Sequence, residues 1–596
     1  MANECLETLV YTPLNSSLNE IRLLHLPPGG EYDDFDCSLS VVSLNDEPRY
    51  EALSYVWGDN LEVKLPILLE KNTVQITRNL HSALRGIRYP NDERVLWIDA
   101  LCINQKNSAE VNTQVAIMGD IYSKAGCVLA YIGEDFDGCD YAVETMSYIA
   151  ENCNMHFDGP EDTVLRVHGV PIAKGGVAWD LIYQFFETPW TSRVWTAQEH
   201  VLAKKMLVYR SRLSIPLQTL HIFMDYVPRH IGNECCYYRK DYDLSFRHDV
   251  FKQWRAYIRH ITPDTGILFP LHYYRIRQSG KSHDKIYGML GLTGEIYKAR
   301  IRADYEISIE DLFTNVVSIE GKATGRLDFL SYCRDQKLDL PSWVPDWTFY
   351  DKSCEDEDRE GLFVFLYNAD GRRLSRSFVS AGRKLFTSGV QISTVDRRYE
   401  PRFESGLRIK SIAHMWKFAT AHPLSASYYG GMHGLEQAFW LTMCGSLVAP
   451  ARQDDDGVAS KQAFDMTKPR DPWRRLREVE YGETMEFWKQ VAYEGQEYGP
   501  APLLFKKVTE GKCFVVLANG AVGFAPAACR PGDAVVALTG GSLPCVLRRV
   551  NDDGRPEREY PRWTFVGCAY VHGSMDGEAF ESVDKGLDYT RLFVLV

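Results

Sequence analysis

In the first third of the chain, short continuous apolar runs alternate with segments whose apolar residues recur at helical spacing. The runs at 50–57, 95–99 and 127–133 carry apolar or aromatic residues on both faces, as strands buried on both sides do. A fourth such run lies at 205–210. The segment 78–87 has the helical spacing, so the first two runs and this segment predict a strand, helix, strand unit.

Two further helices are predicted from local signals. One should begin at Asn107, whose side chain can accept hydrogen bonds from the backbone while Glu110 reaches back in a capping box. Another is expected at 191–203, just before the fourth strand run. The alternation predicts an α/β fold with a doubly wound parallel sheet over residues 50–210, interrupted by an insertion at 134–188.

The flanking regions have different patterns. Residues 1–49 contain short β-like runs, and we expect this lead-in to pack on the α/β domain. Residues 211–330 are predicted to be mostly helical. Residues 331–596 contain strand-like runs punctuated by Gly and Pro, which predicts a β-rich C-terminal region.

Composition narrows the class of protein. The 596 residues are 45% hydrophobic and 25% charged, which are values of globular domains. The net charge of −13 argues against a nucleic-acid partner, since such surfaces are basic. No apolar run is long enough to span a bilayer and the first residues do not have the pattern of a signal peptide, so we expect a cytoplasmic protein without a membrane span.

Several common catalytic and cofactor motifs are absent from the sequence. It has no H-E-x-x-H, no G-x-S-x-G and no metal-spaced histidine cluster, and no G-x-G-x-x-G follows the first strand run. "SGKS" at 279–282 lacks the first glycine of a phosphate loop, because Arg275 stands there. The fifteen cysteines form no C-x-x-C pair and fit reduced, packed thiols. We therefore expect no metal site and no bound cofactor.

Three blocks of the sequence resemble the fungal heterokaryon-incompatibility (HET) domain, in the same order and with similar spacing. They are "YEALSYVWGD", "LWIDALCINQKNSAEVNTQVAIMGDIYSKAGCVLAYIGE" and "RVWTAQE". Later segments such as "SHDKIYGMLGL" and "LPSWVPDW" resemble the extensions of full-length HET proteins. The chain departs from the family pattern at Asn107, usually an acid, and at Val111, usually an arginine. The resemblance implies a trigger of programmed cell death when genetically different hyphae fuse, a form of fungal innate immunity.

The HET domain in turn resembles the TIR domain, a flavodoxin-like sheet that serves as an assembly module and in some members cleaves NAD. In those members the catalytic glutamate stands in a W-x-x-x-E arrangement, which Trp195 and Glu199 match here. The resemblance thus implies NAD as a possible substrate and Glu199 as the catalytic residue. We expect a solvent-accessible pocket around it with these substrate-binding residues: Ser54, Tyr55, Trp57, Asp99, Arg193, Trp195 and Gln198.

One carboxylate is chemically sufficient for NAD cleavage. Nicotinamide is cationic in NAD and leaves as a neutral molecule, so no general acid is needed, whereas ordinary glycosides need one. A carboxylate would stabilise the positive charge that develops on the ribose. The residues three and four positions from Glu199 include no basic side chain, which weakens the alternative of a helical ion pair.

Structural alternatives remain for each of these residues. Trp195 could be a core anchor and Asp99 a cap of the following loop. The whole domain could also be a non-enzymatic signalling module that acts by self-association or by binding other incompatibility proteins. Residues 99–114 contain no glycine, unlike the corresponding TIR loop, which weakens a transfer of TIR assembly geometry.

Overall fold

The computed structural model forms two compact units, Met1–Ile307 and Ser308–Val596. It describes residues 10–30, 32–58, 63–153, 166–167, 170–171, 177–232, 266–333, 336–348, 366–375, 379–380, 383–401, 408–448, 474–475, 508–509, 511–550 and 560–596.

Eleven strands and eleven α-helices are described in the first unit. The strands are β1 (Glu20–Leu26), β2 (Asp36–Ser43), β3 (Glu51–Tyr55), β4 (Lys64–Leu69), β5 (Asn72–Thr77), β6 (Arg94–Trp97), β7 (Cys127–Gly133), β8 (Arg166–Val167), β9 (Val170–Pro171), β10 (Met206–Arg210) and β11 (Leu213–Pro216). The helices are α1 (Arg78–Ile87), α2 (Asp99–Cys102), α3 (Ser108–Ala116), α4 (Met118–Lys124), α5 (Cys139–Glu151), α6 (Val177–Phe186), α7 (Thr196–Val201), α8 (Leu217–Gly232), α9 (Leu268–Tyr273), α10 (Asp284–Leu290) and α11 (Glu295–Arg300).

Nine of the described strands of the first unit form one mixed sheet, in the order β11-β10-β7-β3-β6-β1-β2-β4-β5. Its centre consists of the four runs predicted as strands, and β3 pairs in parallel with both β6 and β7 while β10 pairs in parallel with β7. Numbered along the chain, these four strands lie in the order 2-1-3-4, as the first four strands of a flavodoxin-like sheet do.

The sheet as a whole is mixed, whereas the sequence predicted a doubly wound parallel sheet over residues 50–210. β1 pairs antiparallel with β6 and with β2, so the lead-in supplies strands of the sheet. At the other edge β11 turns back on β10 through a hairpin with Ser211 in the left-handed region at φ 48°. β4 and β5 form another hairpin whose turn residues, Glu70 and Lys71, are also left-handed. Hairpin turns are usually recognised in a sequence by Gly or Asn at such positions, so these two hairpins gave no clear turn signal.

The helices of the first unit differ in detail from the predicted ones. Asn107 caps α3 as predicted, its side chain accepting from the backbone N–H groups of Ala109 and Glu110. The Glu110 carboxylate pairs instead with buried Arg22 and accepts from the Asn104 N–H, so the capping box is not formed. The predicted helix at 191–203 is a 3-10 turn over Pro189–Ser192 followed by α7.

The interruption before α7 has a tertiary cause. Val194 donates its backbone N–H to the Gln278 carbonyl at 2.8 Å, and Gln278 donates back to the Ser192 carbonyl at 2.5 Å. A backbone group bonded to another segment cannot also continue a helical ladder. Trp195 therefore lies at the N-cap of α7, one turn before Glu199.

The second unit contains the remaining described elements. The strands are β12 (Val379–Ser380), β13 (Leu385–Tyr399), β14 (Leu447–Val448), β15 (Arg474–Arg475), β16 (Lys512–Leu517), β17 (Val522–Pro526), β18 (Ala534–Leu538), β19 (Cys545–Arg549), β20 (Arg562–Cys568), β21 (Tyr570–Val571) and β22 (Arg591–Leu595). The helices are α12 (Ile309–Thr324), α13 (Arg408–Thr420), α14 (Ser425–Tyr428), α15 (Met432–Met443) and α16 (Glu581–Asp584).

Five strands of the second unit close on themselves. The order β18-β19-β20-β22-β13 returns to its start because β13 also pairs with β18. β13 pairs with four described strands, β12, β16, β18 and β22. Its register shifts near Gln391 and near Val395, and such irregularities bend a strand. Closure leaves no open edge along this ring, and β16, β17 and β21 extend the sheet beyond it. The β-rich C-terminal region is thus confirmed.

Within the described ranges, no helix has both the length and the apolar composition that crossing a membrane would require.

Candidate functional site

The candidate site lies where β3 ends, and this position follows from the strand order. The chain leaves β3 towards β6 on one side, whereas β7 lies on the other side. Such a change of direction opens a crevice at the carboxyl ends of the strands, where doubly wound folds bind ligands. Ser54 and Tyr55 are the last two residues of β3, and Trp57 follows shortly after.

Glu199 and Ser54 meet in a buried hydrogen-bonded cluster. The indole N–H of Trp190 donates to the Ser54 Oγ at 2.7 Å. An indole can only donate, so the serine oxygen must accept and its own proton is free to point elsewhere. That proton is donated to the Glu199 carboxylate. The three side chains are 0%, 1% and 3% exposed for Trp190, Ser54 and Glu199, so bulk water does not compete for these bonds.

Burial dominates the electrostatics of Glu199. The pKa of its carboxyl is raised to about 7, mainly by loss of hydration and also by the negative charge of nearby Asp99. The charge of Arg193 and hydrogen bonds from Ser54 and Tyr122 act in the opposite direction, because they favour the ionised form. A carboxyl with a pKa near neutrality can exist as acid or as base at physiological pH, as acid–base catalysts do.

Asp99 forms a second carboxyl beside the first. It is the first residue of α2 and accepts from the Trp57 indole at 2.7 Å and from the backbone N–H of Ala100 at 2.8 Å. The Tyr55 hydroxyl also hydrogen bonds to it. Burial raises its pKa, while the charge of Arg193 opposes the rise. Asp99 thus contacts Trp57, Tyr55 and the backbone of the next residue, and its charge acts on Glu199.

Arg193 is the cation shared by the two carboxyls. Its guanidinium donates to the backbone carbonyl of Tyr55, which fixes the side chain against the end of β3. Its positive charge acts on both Glu199 and Asp99. One arginine between two acids leaves the cluster with a net negative charge whenever both carboxyls are ionised.

Two predicted site residues point elsewhere. The Trp195 side chain hydrogen bonds to the Asp284 carboxyl and lies against Gly288, whose added Cβ would be 3.6 Å from its ring. Gln198 packs against Gly291, with its Oε1 only 2.5 Å from the position of a Cβ there. Within the described part of the chain, these two side chains contact α10 and its C-terminal end and not the Ser54–Glu199 cluster.

Other members of the cluster were missed by sequence reasoning. Trp190 lies between the predicted insertion at 134–188 and the predicted helix at 191–203, and its sequence context gave no signal beyond an aromatic side chain. Tyr122 gave no polar signal in the sequence, yet its hydroxyl donates to the Leu53 carbonyl at 3.2 Å and lies within hydrogen-bonding reach of Glu199. Arg277 supports the site from outside, since its guanidinium donates to Thr196 Oγ1 at 3.0 Å at the start of α7.

The expected solvent access to Glu199 is not present. With only 3% of its surface exposed, its carboxylate is enclosed, whereas Trp57 is 37% exposed. The Ser54 and Tyr122 hydroxyls and the buried carboxyl end of β3 lie around it.

Among the described residues, no group of three or more His, Cys, Asp or Glu side chains is arranged to hold a metal ion.

Two regions of the chain match known protein families. Residues 50–199 match the family model described as Heterokaryon incompatibility protein (HET), and residues 485–589 match the Het-6 beta-barrel domain. The chain is 24% identical over 681 aligned positions to Heterokaryon incompatibility protein 6, OR allele, of Neurospora crassa, with 96% of each chain covered. No solved structure matches the chain.

Proposed function

We propose that this chain, which carries a HET domain and a Het-6 β-barrel domain, acts in heterokaryon incompatibility as an effector of cell death, by cleaving NAD at Glu199. The incompatibility role is supported by the HET match, which extends from Tyr50 to Glu199, and by the name of the Neurospora crassa relative. The cytoplasm, where NAD is available, is the compartment we propose for this action.

The observation that carries the catalytic part is the buried pair of Glu199 and Ser54 at the carboxyl end of β3. A glutamate in a buried interior is costly to ionise, which raises its pKa. A buried acid with a raised pKa, placed beside an arginine at the switch point of a sheet, is typical of functional sites. The flavodoxin-like order of the four parallel strands supports the TIR-like relation on which the choice of NAD rests.

The proposed reaction is hydrolysis of the bond between nicotinamide and ribose. That bond breaks with its electron pair going to the nicotinamide nitrogen, water adds to the ribose carbon, and a proton is released with the products nicotinamide and ADP-ribose. The Glu199 carboxylate would stabilise the ribosyl cation, and the Ser54 hydroxyl would hold the carboxylate in place. Because Glu199 is enclosed, side chains covering it must move for NAD to enter.

A non-enzymatic role is the second candidate, and the same burial favours it. Glu199 accepts from Ser54 and lies beside the Tyr122 hydroxyl, which donates to the Leu53 carbonyl. These contacts are those of a group that holds β3, α4 and α7 together. In this case the HET domain would signal by self-association or by binding other incompatibility proteins.

Incubation of the purified full chain with NAD, with chromatographic detection of free nicotinamide, separates the two candidates. Nicotinamide release by the wild type that is lost in Glu199→Gln supports the enzyme. Glu187→Gln is the matched control, because that exposed acid lies outside the cluster. A wild type that releases none would favour the signalling module, and an active Glu199→Gln variant would remove Glu199 from the mechanism.

A further inference from the structure

The second unit contains a cavity of about 420 Å³ that is distinct from the Glu199 cluster. This volume falls in the range of roughly 300–1,000 Å³ that small-molecule sites occupy. Most of its lining side chains are polar. They include three arginines, Arg326, Arg372 and Arg475, and one tyrosine, Tyr367.

One wall of the cavity is a saturated ion-pair network around Arg326. Its guanidinium donates to both oxygens of Asp328 at 3.1 and 3.3 Å, to Asp370 at 3.0 Å and to the Ser542 hydroxyl at 2.7 Å. Asp370 is fully buried and also accepts from the Gly540 N–H at 3.0 Å. The charge of Arg326 is therefore compensated by the protein, and this wall is a fixed scaffold.

The loop that carries Arg372 is held in place by backbone contacts. Asn368 donates its N–H to the Met575 carbonyl at 2.8 Å. A Cβ added to Gly577 would lie 2.9 Å from the Cα of Gly371, so the two loops touch through their backbones. Arg372 itself is in the left-handed region at φ 62°, a conformation that such a tightly fixed loop can impose.

Another part of the cavity lining places a cation over an aromatic ring. The Arg475 guanidinium carbon lies 4.7 Å from the centre of the Tyr367 ring, and the same guanidinium pairs with Asp576. Tyr367 is 5% exposed and its hydroxyl donates to the Gly445 carbonyl. These contacts hold Arg475 in position without using Arg372.

Arg372 is the lining arginine whose guanidinium takes no part in these networks. Its backbone N–H donates to Asn368 and Asp370, but its guanidinium forms no hydrogen bond or ion pair with any residue within the described ranges. We propose that this cavity binds a small molecule bearing a phosphate or carboxylate group, with Arg372 as the principal anion-binding residue and Asn368 and Arg475 beside it. The planar fork of a guanidinium matches two oxygens of either group, which explains why an arginine occupies this place.

Calorimetric titration of the full chain with inorganic phosphate, and separately with succinate, tests this site at ionic strength held constant by potassium chloride. We expect saturable binding of at least one probe, weakened by about tenfold or more in Arg372→Gln through loss of the charged fork. Arg591→Gln, an exposed arginine of β22 that does not line the cavity, should bind as the wild type does. Phosphate binding alone and succinate binding alone would identify which anion chemistry the cavity prefers.

A second measurement does not depend on a variant. Phenylglyoxal modifies accessible guanidinium groups, and peptide mass spectrometry can follow its addition to Arg372 in the wild type. Protection of Arg372 by the probe that binds, with unchanged labelling of Arg591, supports the proposal. The proposal is overturned if neither probe binds saturably. It is also overturned if a bound probe does not protect Arg372 and Arg372→Gln binds that probe as tightly as the wild type. This outcome is independent of NAD cleavage, because the two sites are in different units.

Discussion

The Ser54 hydroxyl donates a hydrogen bond to the Glu199 carboxylate across 145 positions of sequence. Trp190 fixes the direction of that bond, since its indole N–H occupies the serine oxygen. The end of a central strand and the helix before β10 are thus joined through one buried proton donor.

Replacement of Glu199 by Gln should abolish most of the proposed NAD cleavage. The amide keeps the size of the side chain but cannot stabilise a ribosyl cation by charge. We expect the activation barrier to rise by about 2–4 kcal/mol, the cost of losing one preorganised electrostatic group. Initial rates of nicotinamide release measure the effect, and circular dichroism of the variant establishes that it is folded.

The same substitution should stabilise the protein at higher pH. The pKa of Glu199 is about 7 in the folded state, against 4.5 for a glutamate free in water, so the folded state binds the extra proton between these values. The free energy of unfolding of the wild type therefore loses about 3 kcal/mol from this group as pH rises through that window. Urea unfolding at pH 5 and pH 8 should show that Glu199→Gln gains stability over the wild type mainly at pH 8. An equal difference at both pH values would contradict the raised pKa.

NAD cleavage by the wild type should increase as pH rises through about 7. The ionised form of Glu199 is the one that stabilises positive charge, and it becomes the major form above its pKa of about 7. A pH profile of kcat, measured by nicotinamide release with the fold checked at each pH, tests this. A rate that falls over the same range would indicate that the protonated carboxyl is the active form.

Removal of the serine hydroxyl should affect both partners. In Ser54→Ala the Trp190 indole loses its acceptor and Glu199 loses a donor, and each unsatisfied buried group costs about 1–3 kcal/mol. The pKa of Glu199 should also move higher, because a hydrogen bond that favours its ionised form is gone. Denaturant unfolding measures the stability loss. Ser214→Ala, at an exposed position of β11, should leave stability nearly unchanged.

The Arg22–Glu110 ion pair should be essential for stability. Arg22 is 1% exposed, pairs with Glu110 at 2.5 Å and donates to the Cys102 carbonyl at 2.9 Å. Its replacement by Ala leaves a carboxylate without its partner, for which we expect a loss of about 3–5 kcal/mol in the free energy of unfolding. Arg78→Ala, an exposed position at the start of α1, is the control and should change stability by less than about 0.5 kcal/mol.

The sequence alone determined the central elements of the first unit. The runs that became β3, β6, β7 and β10 are apolar on both faces because each is covered on both sides, and such a pattern is local. The cap at Asn107 was predictable for the same reason, since a cap depends on residues within one turn. The family resemblance was carried by contiguous blocks that include these elements.

Only the tertiary structure decided what lies around Glu199. Periodicity shows which positions are buried but not which distant segment covers them, so nothing local distinguished Trp190, which contacts Ser54, from Trp195, whose indole bonds to Asp284. The break before α7 likewise depends on backbone bonds to Gln278, more than 80 residues away in the chain. Strand pairing at the sheet edges and closure of the β13 ring are also long-range contacts. Their register is set by partners far apart in sequence, so no short window of residues contains the information that specifies them.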